Sequence, residues 1–458
     1  MDKKVKWSQF SGLRLRKEYE TDYTKQEYYK DIFPYNEPPI IEFDNLIPPQ
    51  HIPDEIWVTD TTFRDGQQAR DPYTVKQTVD IYNLLVRLDN GSGIIKETEF
   101  FLYTHKDKEA VSKCMELNAS YPRITGWVRA NEKEIHIPIG MGIKKTGILT
   151  SVSDYHIYRK LNLDRKKAEE MYLSVVRKAA EIGYSEVRCH FEDITRADIF
   201  GFVIPFAQKL MKIMDDSGMK ITIRICDTMG YGVPFPTASL PRGIPKLIYY
   251  LREEAGVPSE LLEMHMHNDF GVVIANSVAG WLYGASSINA SLLGTGERTG
   301  NTPLEQTIFW YYAIKGNVKK MNLRVITEIK EYYEKEIGEK IDAQKPFVGE
   351  YFNVTRAGIH ADGLMKDPEI YNIFDTEKIL GRKPQVIITD KSGSAGVAYW
   401  INAFFNLENS NRLSKDHKGV KAIYEEIVKM YEEGKTGSVK TEEMIRLVKK
   451  YLPELVKE

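Results

Sequence analysis

The chain has 458 residues, enough for a large hydrophobic core and for more than one domain. Hydrophobic residues make up 42% and charged residues 28%, as in ordinary globular proteins. A formal net charge of −2 gives no support for binding to nucleic acid or to an anionic membrane surface, and we expect neither partner. Three widely spaced cysteines argue against a disulfide framework. No apolar run reaches the ~18 residues of a membrane-spanning helix, and the segment after Met1 lacks the apolar region of a secretory signal. We therefore expect a cytoplasmic protein.

The beginning of the chain is polar and aromatic and ends in a stretch rich in proline. Its many Tyr, Phe and Ile residues argue against disorder, because disordered segments are poor in such side chains. We therefore predict an N-terminal extension over residues 1–54 that wraps around the body of the protein or around an adjacent subunit.

Between residues 55 and 320, short β-rich runs alternate with longer helical patterns. Strands alternating with helices over this length favour the α/β class and a (β/α)8 TIM barrel. An open, doubly wound sheet is the alternative, and the lack of a Gly-x-Gly-x-x-Gly motif after the first strand counts against it. The predicted strands span residues 56–60, 95–100, 124–128, 147–151, 186–191, 221–227, 261–265 and 287–292, and the predicted helices include 165–182, 202–217, 245–255, 272–283 and 303–315.

The rest of the chain is predicted to form a linker and a smaller subdomain. Residues 321–345 are charged and have a helical pattern. Residues 346–458 are predicted to be a C-terminal subdomain of α/β or helical type. Its last part, from about residue 413, has the pattern of two amphipathic helices.

Two histidines, His265 and His267, close the apolar run of the seventh predicted strand. Residues i and i+2 of a strand point to the same face, so these two imidazoles can share one metal ion at the strand end. A pair of hydrogen-bonded histidines near the surface is the plainer alternative. The neighbouring strand ends favour the metal, as described next.

Polar and ionisable residues follow nearly every predicted strand, where the chemistry of such barrels is located. Arg64 and Asp65 follow the first strand, Glu192 follows the fifth and Thr228 follows the sixth. Each of these residues alone has a plainer interpretation, such as a surface ion pair. Clustered charges are costly unless they are paired or liganded. Two imidazoles with Asp65 as the carboxylate would make a Lewis-acid site for Mn²⁺, Mg²⁺, Zn²⁺ or Co²⁺, at which Arg64 would polarise the keto oxygen of a 2-oxo acid.

Six sequence motifs, taken in their order along the chain, resemble those of one family, the metal-dependent barrels that join acetyl-CoA to a 2-oxo acid. Its members include isopropylmalate, homocitrate, citramalate and Re-type citrate synthases. The resemblance covers about residues 55 to 400 and implies a TIM barrel, an acyltransferase activity with acetyl-CoA as co-substrate, and hydrolysis of the acyl-CoA product. The matching motifs are residues 60–68, 191–193, 227–230, 265–271, 296–301 and 357–363.

The resemblance also implies roles for individual residues. Asp65, His265 and His267 would bind the divalent ion, most simply Mn²⁺ or Mg²⁺, with Asn301 on or near it. Arg64 would hold the 2-oxo oxygen and Thr228 the substrate carboxylate. His360, supported by Glu192, would deprotonate the acetyl methyl group, and a homodimer would bring the C-terminal subdomain to the neighbouring barrel. Further candidates for substrate binding are Gln68, Arg129, His156, Arg188 and Arg196.

Departures from the family pattern favour one substrate. Gln67 stands where the family usually has a glutamate, and removing a negative charge should ease binding of a more anionic oxo acid. The part after residue 400 is too short for the regulatory domain of the isopropylmalate enzymes. With the N-terminal extension, this combination is most similar to the Re-type citrate synthases, which implies oxaloacetate. Homocitrate and isopropylmalate synthases are the alternatives, and a metal-dependent lyase or aldolase is a more distant one.

Overall fold

The computed structural model describes residues 17–456. It consists of two units, Met1–Asn322 and Leu323–Glu458. The first 16 residues of the predicted N-terminal extension lie outside the described residues.

In the described part of the first unit, eight parallel strands close into a barrel in which each strand pairs with the next and β1 pairs with β8. The predicted (β/α)8 barrel is confirmed, and the open-sheet alternative is wrong. The strands are β1 (Trp57–Asp60), β2 (Ile95–Phe100), β3 (Arg123–Arg129), β4 (Lys145–Ser151), β5 (Glu186–Glu192), β6 (Lys220–Asp227), β7 (Leu262–Met266) and β8 (Ser287–Ala290). The helices are α1 (Val75–Asp89), α2 (His105–Glu116), α3 (His136–Gly140), α4 (Arg165–Glu181), α5 (Ile204–Ser217), α6 (Ile244–Glu253), α7 (Val273–Tyr283) and α8 (Leu304–Lys315).

Local sequence fixes where several of these helices begin and end. Helix α1 begins after Thr74, whose side chain accepts a hydrogen bond from the backbone N–H of Gln77, while the Gln77 side chain accepts one in return from the Thr74 backbone. Helices α5 and α8 end at Gly218 and Gly316, which have φ values of 73° and 74°. Glycine adopts this left-handed conformation without steric cost, so the chain can turn back towards the next element.

Charged side chains fill the middle of the barrel, where apolar layers are usual. Arg188 on β5 donates to Glu99 on β2 at 2.6 Å, and Arg224 on β6 donates to Glu99 at 2.9 Å, contacts that cross the barrel interior. Glu97 and Glu263 complete this ionic layer, and all five side chains are buried. The strand residues that alternate with them are apolar and lie under the helices, as Val58, Val187, Ile223, Met264 and Ile288 do.

Residues 17–54 lie along the outside of the barrel and contact the loops that follow two of its strands. The backbone N–H of Glu27 donates to Asp154 after β4, and Phe33, only 5% exposed, packs on Tyr231 after β6 at 5.5 Å between ring centroids. Further along, the backbone N–H of His51 donates to the carbonyl of Leu282. The extension thus reaches the end of the barrel that carries the predicted site.

The second unit is helical with one small sheet in its described residues. Its core contains Leu364, Val397, Ile401, Ile423 and Val448, all buried. The tail forms two helices, and the predicted linker contains one helix followed by a π-helical turn. The elements are α9 (Val325–Tyr332), β9 (Val354–Thr355), α10 (Gly358–Lys366), α11 (Thr376–Leu380), β10 (Gln385–Val386), α12 (Gly393–Phe404), α13 (Lys418–Glu432) and α14 (Thr441–Tyr451).

The structure bears on two features considered from composition, the cysteines and the apolar helices. Cys114, Cys189 and Cys226 are buried and free. None of the helices among residues 17–456 is long and apolar enough to cross a membrane.

Candidate active site

Asp65, His265 and His267 come together at the C-terminal end of the barrel. Their candidate ligand atoms all lie within 4.8 Å of one another, and the three side chains are buried. Nε2 of His265 is 3.8 Å and Nε2 of His267 is 3.7 Å from Oδ2 of Asp65. His265 lies on β7, His267 directly follows that strand, and Asp65 follows β1, so the parallel barrel itself brings distant parts of the chain to one point.

The protonation state of this cluster suits a cation. Burial alone would raise the pKa of Asp65, but neighbouring positive charge, that of Arg64 first, holds the pKa well below its ordinary value. Burial lowers the pKa of both His265 and His267. One carboxylate and two neutral imidazoles are therefore present at neutral pH, which is the form in which these groups bind metal.

Asn301 extends the cluster by one amide. Its Nδ2 donates a 2.6 Å hydrogen bond to Oδ2 of Asp65, while its buried Oδ1 has no hydrogen-bond partner among residues 17–456. A Cβ atom on Gly296 would lie 1.6 Å from this oxygen, so only glycine fits there. A buried acceptor without a donor is costly, and exchanging the positions of the amide nitrogen and oxygen would turn this oxygen, instead of Nδ2, towards a cation beside Asp65. The residues present fit a divalent metal ion.

Arg64 is fixed beside the same carboxylate. Its Nη1 donates to Oδ1 of Asp65 at 2.6 Å and its Nε donates to Oε2 of Glu99 at 3.0 Å. The guanidinium also lies over the ring of Trp127, 5.4 Å from the centroid. A permanent positive charge is thereby held next to the candidate metal ligands, where it can stabilise an oxyanion.

Glu192 and His156 form a second polar group at the ends of β4 and β5. Nδ1 of His156 lies 2.9 Å from Oε2 of Glu192, but the two groups are not aligned for a hydrogen bond. Lys160 donates to both oxygens of Glu192 at 2.7 and 2.8 Å. Ser151 donates to the same carboxylate. Burial would raise the pKa of Glu192, but His156 and Lys160 outweigh it and lower the pKa to about 2. Glu192 is thus ionised and held in place.

Thr228 lies in the loop after β6 and is connected to its neighbours. Its Oγ1 accepts a 2.8 Å hydrogen bond from the backbone N–H of Asp193, and its carbonyl accepts one from Arg298. Arg298 also forms a two-pronged ion pair with Asp269, at 2.8 and 3.0 Å. Arg298 is a residue that sequence reasoning missed, although its place inside the motif at residues 296–301 was a signal for it.

Gln68 and Arg129 lie at the rim rather than in the cluster. Gln68 is exposed in a 3₁₀ turn, Gly66–Ala69, and lines an open cavity of about 430 Å³ together with Arg129 and Trp127. The Arg129 side chain is 68% exposed and donates to Glu134 at 2.7 Å. Both side chains are accessible to a substrate.

One interpretation from the sequence needs correction, and another stays a prediction. Arg188 lies inside the ionic layer, with Glu97, Glu99 and Glu263 around its guanidinium, so it is not available to a substrate carboxylate. Gln67 uses its amide on its own turn, donating to the carbonyl of Phe63 at 2.9 Å and accepting from the Tyr73 N–H at 3.2 Å. Its amide is therefore bonded within its own turn, and the effect of its neutral side chain on the binding of an anionic substrate stays a prediction.

Arg196 and His360 keep their status as predictions. Arg196 donates to Asp193 at 2.9 Å and lies over the ring of Tyr155. His360 is in the first turn of α10 in the second unit, with its ring centroid 4.3 Å from that of Tyr371.

The chain is similar to proteins of known family and name. Residues 55–332 match the model of the HMGL-like family. Over 434 residues the chain is 52% identical to a citrate (Re)-synthase of Syntrophus aciditrophicus, covering 95% of this chain and 69% of that protein. Over 429 residues it is 51% identical to a citrate (Re)-synthase of Clostridium kluyveri, covering 94% of both. A 2-phosphinomethylmalate synthase of Streptomyces hygroscopicus is 34% identical, covering 93% of this chain and 96% of that protein.

Among solved structures, the hydroxymethylglutaryl-CoA lyase from Pseudomonas aeruginosa matches with a TM-score of 0.51 at 18% identity. The match covers 63% of this chain and 95% of that chain. At this identity the likeness shows the barrel fold alone.

Proposed function

We propose that this chain, which belongs to the HMGL-like family, condenses acetyl-CoA with oxaloacetate and hydrolyses the product thioester to give citrate and CoA. One observation carries the proposal. The buried cluster of Asp65, His265 and His267, with Arg64 beside it, occurs in a chain that is 51–52% identical to two citrate (Re)-synthases over 94–95% of its length. Named isopropylmalate and homocitrate synthases match at 28–32% identity and are the second candidate.

We assign Asp65, His265, His267 and Asn301 as the residues that hold a divalent cation. Mixed imidazole, carboxylate and amide donors suit Mn²⁺ or Mg²⁺, and Zn²⁺ and Co²⁺ are the alternatives. When bound, such a cation supplies Lewis-acid chemistry at the keto oxygen of the substrate.

Arg64 adds a fixed positive charge for the same keto oxygen, as its contacts with Asp65 and Glu99 keep it in place. His360, supported by Glu192, removes a proton from the acetyl methyl group. The methyl carbon then bonds to the keto carbon, and the keto oxygen becomes the hydroxyl of the product. Water cleaves the thioester, which releases the carboxylate and CoA as its thiol.

Thr228 binds a substrate carboxylate in this proposal, and Gln68, Arg129 and His156 line the space for the rest of the two substrates. The proposed enzyme is a homodimer in which His360 of one copy serves the barrel of the other. We place it in the cytoplasm, where its three free cysteines stay reduced.

The proposal is tested by measuring thiol release from acetyl-CoA with oxaloacetate, 2-oxoglutarate and 2-oxoisovalerate as separate acceptors. We expect rapid release with oxaloacetate, loss of release after treatment with a chelator, and recovery when Mn²⁺ or Mg²⁺ is added back. Citrate synthesis is verified by identifying the product. A preference for 2-oxoglutarate or 2-oxoisovalerate would replace this function with homocitrate or isopropylmalate synthesis, and full activity after chelation would refute the metal site.

A further inference from the structure

A continuous chain of hydrogen bonds leads from the metal cluster into the ionic layer below it. Nδ1 of His265 is 2.7 Å from Oδ1 of Asn289. Nδ2 of Asn289 donates to Oγ1 of Thr59 at 2.9 Å, and Thr59 donates to Oε1 of Glu263 at 2.5 Å. The four side chains are between 0% and 4% exposed, so water does not compete for these bonds.

The barrel register produces this chain. Asn289 on β8 is paired with His265 on β7 and with Thr59 on β1, so the three side chains stand in one row across neighbouring strands. Glu263 is two residues before His265 on β7 and therefore points to the same interior face. Sequence distances of up to 230 residues are bridged by strand pairing alone.

The direction of every bond in the chain is set at its lower end. The Glu263 carboxylate lies 2.6 Å from Nε of Arg224 and 2.9 Å from Nε of Arg188, and guanidinium groups stay protonated in proteins. An ionised carboxylate only accepts hydrogen bonds, so the single hydroxyl proton of Thr59 points to Glu263. Towards Asn289, Thr59 can then only accept.

The same logic continues to the metal cluster. Asn289 must present its NH₂ group to Thr59 and its carbonyl oxygen to His265. Nδ1 of His265 must therefore carry the ring proton, which leaves the lone pair on Nε2, the atom that faces Asp65. This is the tautomer that a ligand at the cluster requires.

We propose that Thr59 and Glu263 are positioning residues that fix the tautomer of His265 through Asn289 and so set the metal affinity of the site. This inference rests on the metal site of the proposed function. Thr59 is the residue to change, because Glu263 also holds Arg224, which contacts Glu99 and through it Arg64. A change at Thr59 removes one donor to Glu263 but leaves Arg224 and Arg188 paired with that carboxylate, so the main effect falls on the His265 branch.

The first test is a calorimetric titration of metal-free protein with Mn²⁺. We expect Thr59→Val, which removes the hydroxyl but keeps the shape, to weaken Mn²⁺ binding ~10–100-fold, as loss of an outer hydrogen-bond partner does at other metal sites. Thr59→Ser keeps the hydroxyl and should recover most of the affinity. Thr125→Val is the matched control: Thr125 is a buried strand threonine whose hydroxyl donates to the carbonyl of Thr98, outside this chain of bonds.

The second test reads the tautomer directly, and its first arm uses the wild-type protein. In ¹⁵N-histidine-labelled, metal-free wild-type protein, the NMR spectrum of His265 should show a protonated Nδ1 and a bare Nε2. Thr59→Val should give a mixture of both tautomers.

The outcomes separate the two levels of inference. If the wild-type protein fails to bind Mn²⁺, the proposed metal site is refuted. If it binds and Thr59→Val binds equally well, or if wild-type His265 carries its proton on Nε2, the positioning role is refuted while the metal site stands.

Discussion

The two carboxylate oxygens of Asp65 have different partners. Oδ1 accepts from Arg64, and Oδ2 accepts from Asn301 and faces both imidazoles. A carboxylate held from two sides cannot rotate freely, so the ligand atom and the neighbouring positive charge keep a fixed relation. Precise placement of this kind is what a catalytic charge needs, because reorganisation during the reaction is avoided.

Arg64→Lys is predicted to impair catalysis although the charge is kept. Lysine has one ammonium group and cannot bind Glu99 and Asp65 through two separate nitrogens as arginine does. We expect kcat/KM for oxaloacetate to fall ~10²–10³-fold, the usual effect of losing one donor to an oxyanion, with Mn²⁺ binding retained.

Steady-state thiol release measures this effect, and Arg123→Lys is the control. Arg123 is at the start of β3, its side chain is 59% exposed, and it pairs with Glu97 far from the strand ends that carry the site. Unchanged kcat/KM in Arg64→Lys would contradict the role given to Arg64.

At the scale of elements, the N-terminal extension and the loop after β4 are connected by one buried arginine. Arg165, the first residue of α4, binds Asp154 through two nitrogens at 2.9 and 2.7 Å. Its third nitrogen donates to the carbonyl of Asp22 in the extension at 2.8 Å. His156 lies two residues after Asp154, so Arg165 supports a part of the candidate site.

Arg165→Met is predicted to destabilise the protein strongly. It would leave the carboxylate of Asp154 buried without its partner, and breaking a buried ion pair from one side costs ~3–5 kcal/mol. Urea denaturation measures the loss. Lys166→Met, at the exposed neighbouring position of the same helix, should change the free energy of unfolding by no more than ~0.5 kcal/mol. Equal stabilities of the two variants would contradict the assigned role.

At the scale of the whole molecule, the barrel is held by charges at its centre and by apolar packing around it. Contacts between strands on opposite sides, such as Arg188 with Glu99 and Arg224 with Glu99, tie the barrel across its interior. Removing a partner from such a layer leaves an uncompensated buried charge. The stability of this barrel should therefore depend on pH more strongly than that of a barrel with an apolar interior.

The free energy of unfolding is predicted to fall steeply below about pH 4. Burial would raise the pKa of Glu99, but Arg224 and Arg64 outweigh it and hold the pKa well below 4.5, while that of Glu192 is lowered to about 2. Because the unfolded chain takes up protons first, this stabilisation is complete above pH 4.5 and is lost as pH falls towards 2. His190 acts in the same sense, since burial lowers its pKa from 6.5 to about 3.

Two buried carboxyls oppose this trend over a limited range. Burial raises the pKa of Asp60 and of Asp227 from 3.8 to about 6, so their contribution to stability increases as pH falls from 6 to 3.8. Below 3.8 they have no further effect. Urea denaturation between pH 7 and pH 3 measures the balance, and a stability that stays constant down to pH 3 would contradict the role of the ionic layer.

Several features were determined by the sequence alone. Short β-rich runs alternating with helical patterns predicted the eight strands of the barrel, because both patterns are local and repeat along the chain. The His-x-His spacing at a strand end predicted that His265 and His267 share a face, since side chains alternate along a strand. The strands of the barrel and the shared face of the two histidines follow from such short-range rules.

Tertiary structure decided the rest, because only strand register and barrel closure determine which distant side chains meet. From its residue type alone, Arg188 could bind a substrate carboxylate. Its position on β5 instead points its side chain into the ionic layer. The chain from His265 through Asn289 and Thr59 to Glu263 joins three strands. Thr59, Glu263 and Asn289 are polar residues in buried strands, but the sequence does not show that they meet. The direction of their hydrogen bonds follows only from the arginines around Glu263.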